Sequence, residues 1–124
     1  RSLASGSNRA LLDRLLMDPS ELVIGKLLKN PNINAQDMLV IVSRRPTTTA
    51  ILETVARETR WLRNATVREA LVRNPYGPTG VGLKLLPTLH IREIRQIASA
   101  GDLHPTISDF AKLLVRLRKQ IHGE

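Results

Sequence analysis

Two stretches of this chain superpose at an offset of 44 residues, Lys26-Leu27-Leu28-Lys29-Asn30-Pro31 on Ala70-Leu71-Val72-Arg73-Asn74-Pro75. The correspondence runs on in both directions: Val23 falls on Val67, Leu39 on Leu83, Ile41 on Leu85 and Val42 on Leu86. A third, degraded copy runs through His104-Pro105 to Leu114. Proline lacks an amide hydrogen and pushes the residue before it out of helical geometry, so each Asn-Pro ends a helix at the same point after two aliphatic residues. A unit of about 44 residues punctuated in this way has too little surface to bury its own apolar side, so neighbouring units must stack.

The rest of the chain keeps the same rhythm. Leu3 to Met17 reads as a helix with Leu11, Leu12 and Leu15 on one side. In Asp18-Pro19-Ser20-Glu21, Asp18 is placed to cap a helix and Pro19 to occupy its first position. Leu22 to Lys29 follows with Leu22, Val23, Leu27 and Leu28 at helical spacing. Asn34 caps a segment carrying Met38, Leu39, Ile41 and Val42, and Thr47 to Arg57 carries Ile51, Leu52, Val55 and Ala56. Asn64 or Thr66 opens the next helix, and Thr66 with Glu69 has capping-box spacing. Pro78 to Leu86 and Ile91 to Ser99 are short helices. Thr106 with Asp109 reads as a second capping box, opening the longest helix, Ile107 to Ile121, whose inward stripe is Ile107, Phe110, Ala111, Leu114 and Ile121. No segment alternates with a period of two long enough to compete as a strand.

The residues Thr66 to Pro75, and more weakly Glu21 to Pro31, resemble the leucine-rich repeat variant family and, more loosely, HEAT-like repeats. The resemblance implies an all-α, right-handed stack of about seven or eight helices whose exposed face binds a partner. On this expectation residues 1–124 form a single helical-repeat domain: an N-terminal capping helix over 1–18, two repeat units over 19–104 and a C-terminal capping helix over 105–124. The chain contains no cysteine, so the iron–sulfur cluster held by some variant repeats has no ligands here, and disulfides and thiol chemistry go with it. A cysteine-free domain with no visible signal peptide and no apolar run long enough to span a bilayer is expected in the cytoplasm.

Little in the chain has the shape of an active site. His90, His104 and His122 are far apart, and none forms a metal-binding pair at helical spacing. Glu53 with Glu58, or Asp102 with Asp109, would have to converge through the fold to do acid–base work. Gly80-Val81-Gly82 lacks the third glycine and the Gly-Lys-Ser/Thr ending of a phosphate loop; it reads as a turn whose small residues let a helix pack closely. No cofactor or metal is expected, and the chain reads as a non-enzymatic interaction module.

Charge supplies the candidate contacts. The net charge is +8, from 19 Lys and Arg against 11 Asp and Glu, which favours an acidic partner unless the cations merely solvate outward faces. Arg57, Arg60, Arg63, Arg68 and Arg73 surround Trp61, an arrangement suited either to a protein hot spot or to stacking a base, and equally to a buried Trp among solvated arginines. Lys112, Arg116 and Lys119 form a second patch on the last helix, with Arg118 between them. The leading expectation is a scaffold or adaptor whose basic face binds an acidic protein. The alternative is a nucleic-acid binder, since HEAT-like stacks bind duplex DNA in some alkylpurine DNA glycosylases. The single Trp, Tyr and Phe are too dispersed for the glycosylase version. Exposed stack ends would also permit homo-oligomers.

Overall fold

The computed structural model describes residues 2–122, with side chains from Arg9 to Gln120. Among these residues the chain is all-helical: α1 Ser2–Leu15, α2 Glu21–Leu27, α3 Ala35–Val42, α4 Thr49–Ala56, α5 Thr59–Leu62, α6 Ala65–Arg73, α7 Thr79–Leu85, a 3-10 turn Leu86–Thr88, α8 Ile91–Ala98 and α9 Pro105–His122. The stripe residue Ile121 lies outside the described side chains.

Polar side chains define where the helices begin. Ser20, not Asp18, caps α2; Asp18 instead accepts from the Ser20 amide at 2.8 Å and shapes the turn before it. Asn34 and Asp37 form a reciprocal capping box at α3. Asn64 caps α6 by accepting from the Thr66 and Val67 amides, which leaves Thr66 inside the helix and overturns the Thr66–Glu69 box. At α9 the ring of His104, not Thr106, accepts the first free amide, that of Thr106 at 3.1 Å. The Thr47 to Arg57 segment ends at Ala56, and a separate single-turn helix, α5, follows it.

The 44-residue correspondence is visible in these boundaries. Displaced by 44, α2 and α3 fall on α6 and α7, and their N-caps Ser20 and Asn34 fall on the N-caps Asn64 and Pro78. The Asn of each Asn-Pro makes the same turn: Asn30 accepts from the Asn32 amide at 2.8 Å, and Asn74 from the Tyr76 amide at 3.0 Å. Asn74 is buried, and its amide nitrogen also donates to the carbonyls of Val42 and Arg44 at 2.9 and 3.0 Å, just where α3 ends. A helix leaves its last carbonyls without partners inside the helix, and this one side chain satisfies that of Val42 together with the Arg44 carbonyl just beyond the helix. A further 44 residues on stands Arg118, whose guanidinium donates to Pro87 and Leu89 at 3.0 and 3.3 Å, where the 3-10 turn after α7 ends. Two successive clamps thus close α6 onto α3 and α9 onto α7.

The apolar side chains form two cores that meet at α6. The first, from α1 to α6, includes Ile24, Met38, Ile41, Leu52, Val55, Val67 and Leu71; the second includes Val72, Leu86, Ile94, Ile97, Ile107 and Ala111. Adjacent residues Leu71 and Val72 therefore face different cores. Gly82 is buried under α9, and a Cβ there would stand 2.6 Å from the Ile107 Cδ1, so a larger residue would have to displace the tip of that side chain. At the other end, Arg9 ties α1 to α3 through Asp37 at 2.6 Å, and this bond raises the arginine's pKa further.

The clamp residues should differ in cost. Asn74→Ala strands buried hydrogen-bonding groups and is expected to destabilise the fold by about 3 kcal/mol in urea unfolding. Asn30→Ala, whose amide nitrogen grips no carbonyl, should cost under about 0.5 kcal/mol. Arg118→Ala should fall between. Equal costs at positions 30 and 74 would contradict the clamp.

Candidate functional site

The fold separates the residues of the first basic cluster. Trp61 is buried, with its indole N–H donating to the Leu28 carbonyl at 3.3 Å and the Arg60 guanidinium 4.4 Å above its ring. A ring held in this way has no face left for a base. Arg68 donates to the Leu62 carbonyl at 2.7 Å, at the end of α5, and to Thr88 at 3.1 Å. Arg73 is bonded to Glu69 on its own helix at 2.7 Å and to Gln96 of α8. Arg57 lines a groove between α2 and α4 that also holds Glu21 and Glu58, where Lys29 already pairs with Glu58 at 3.0 Å. Arg63 is exposed at the end of α5. These side chains therefore serve several separate junctions.

Much of the arginine excess is structural. Arg44 donates to Leu16 and Asp18 after α1, and Arg45 to the Arg73 carbonyl at the end of α6. With Arg68 and Arg118, four arginines thus satisfy carbonyls left at helix ends. The planar guanidinium, with five N–H donors, suits this task.

The second patch behaves differently. Lys112, Arg116 and Lys119 stand at i, i+4 and i+7 on α9, so they share one face over about 10 Å of helix. They line a groove of ≈ 590 Å³ between α8 and α9, whose other wall brings Arg95 and Ser99 and whose floor includes Ala98 and Val115. Among the described residues no carboxylate lines it. Four like charges around a partly apolar floor raise the local positive potential, which an incoming anion relieves. Spacing made the α9 stripe legible in the sequence. Arg95 was missed because only the packing of α8 along α9 brings it there.

Other clefts are less suited to an anion. The groove beside the 3-10 turn holds His90, which stands 3.7 Å from Glu93, and Arg118, whose donors already grip two carbonyls. His90 and His104 act as helix caps. Among the described residues no group of three or more His, Cys, Asp or Glu is placed to hold a metal ion, and no helix is long and apolar enough to cross a membrane.

No family model, curated protein or solved structure matches the chain.

The placement of Trp61, the only tryptophan, can be checked optically. Its emission is expected to be blue-shifted and to resist iodide quenching. Emission like that of free tryptophan, readily quenched, would place the ring on the surface instead.

Proposed function

We propose that this chain is a non-enzymatic interaction module whose basic α8–α9 groove binds an acidic protein partner. The observation that carries this reading is the alignment of Lys112, Arg116 and Lys119 along a groove that no carboxylate lines among the described residues, with Arg95 on its other wall. The groove fits carboxylates: arginine offers a forked pair of donors and lysine a point charge, while Ala98 and Val115 accept the apolar part of the same ligand. In this reading the 44-residue units form a short repeat stack of the HEAT-like kind, and its last helix, α9, is both end cap and binding element. The clamps at Asn74 and Arg118 support the stack because they perform one task at successive repeats. A cytoplasmic setting fits the absence of cysteine.

Nucleic acid is the second reading, and the same cations favour it. Against it stand the dispersal of Arg57, Arg60, Arg63, Arg68 and Arg73 and the burial of Trp61. Together these remove both a continuous phosphate track and a stacking platform.

Fluorescence anisotropy separates the two. Labelled polyglutamate should bind at low salt and weaken as salt screens the groove. The double charge reversal K112E/R116E should reduce affinity at least about tenfold, a loss of about 1.4 kcal/mol. Tighter binding of a short DNA duplex, with a steeper salt dependence and no response to K112E/R116E, would contradict the proposal.

A further inference from the structure

Beside its cationic stripe, α9 carries a second feature that the groove does not use. Leu113 and Leu117 are exposed at 39% and 43%, although α9 buries Ile107 and Ala111 elsewhere around its circumference. Their i, i+4 spacing places them on one face, about a quarter-turn round α9 from the row of Lys112, Arg116 and Lys119, with Leu113 and Arg116 neighbours at i, i+3. Exposed leucines are ordinary one at a time. A pair set in register with an adjacent row of cations matches the footprint by which one helix receives another.

We infer that the occupant of this surface is an acidic amphipathic α-helix of a partner protein, lying along the outer face of α9. The inference rests on the proposed function and narrows it from acidic polypeptide in general to a helix with segregated faces. Charge complementarity selects the occupant: its carboxylates, at i, i+4 and i+7, meet Lys112, Arg116 and Lys119. Its leucine-like residues, on the neighbouring stripe, cover Leu113 and Leu117. Nucleic acid offers no aliphatic stripe to cover two leucines, and an unstructured acidic chain has no fixed register in which to present one.

A synthetic amphipathic peptide of about 18 residues, long enough to be helix-competent, carries Glu at i, i+4 and i+7 beside Leu at i+1 and i+5. A control of identical composition scrambles the order so that Glu and Leu no longer segregate. Titrated against the full chain, the patterned peptide is expected to bind at least about tenfold more tightly than the control or polyglutamate. It should also gain helical circular dichroism on binding. L113N/L117N should weaken the patterned peptide about tenfold and leave polyglutamate unchanged, whereas K112E/R116E should weaken both. Because both leucines are exposed, the L113N/L117N chain should keep the unfolding midpoint of the parent. Equal binding of patterned and scrambled peptides, or indifference to L113N/L117N, overturns the helix inference and leaves the acidic-partner reading standing. Binding of DNA with no binding of any acidic peptide overturns both.

Discussion

The side-chain amide of Asn74 joins what would otherwise be two helical halves. It sits in the interior, holds its own turn by accepting from Tyr76, and donates to two carbonyls where α3 ends. Burying peptide groups without partners costs far more than a net hydrogen bond yields. The contact between α6 and α3 therefore depends on a polar group reaching across. Once that contact is made, Leu71 and Val72 point into separate cores, and the second half can pile onto the first. Arg118, 44 residues further on, donates in the same way to Pro87 and Leu89 and ties α9 to the turn after α7. The groove that carries the proposed function exists because α9 is held there.

The same chemistry changes the meaning of the charge. A net charge of +8 suggests a surface built for anions. Yet Arg44, Arg45, Arg68 and Arg118 spend their donors on carbonyls at helix ends, and Arg73 on Glu69 and Gln96. Short helices produce many such ends. A chain with few aromatics and many short helices thus uses arginine as mortar, while Lys112, Arg116 and Lys119 gather along the α8–α9 groove with Arg95 on its other wall.

What the sequence disclosed follows from which interactions are local. The helical segments were legible because apolar spacing and Asn-Pro stops act within a few residues. The 44-residue offset was legible because the turn around Asn30 and Asn74 is built from adjacent residues. Cap identities were harder. Ser20, Asn64 and His104 won over Asp18, Thr66 and Thr106 by geometry that composition does not distinguish. The placement of Trp61 and the meeting of Arg95 with Lys112, Arg116 and Lys119 were not legible, since both arise from contacts between helices distant in the chain. The Asn74 amide bonds span 30 and 32 residues, so the spacing marked the residue but not its task.

The central claim is that the acidic partner binds at the α8–α9 groove while Arg44, Arg45, Arg68 and Arg118 hold the fold. A 1H–15N correlation spectrum recorded during a polyglutamate titration tests it most directly. The account requires chemical-shift changes concentrated at residues 95–99 and 112–119, with Arg57, Arg60, Arg63 and Arg68 unmoved. Changes centred on residues 57–68, or spread evenly over every exposed cation, would contradict it.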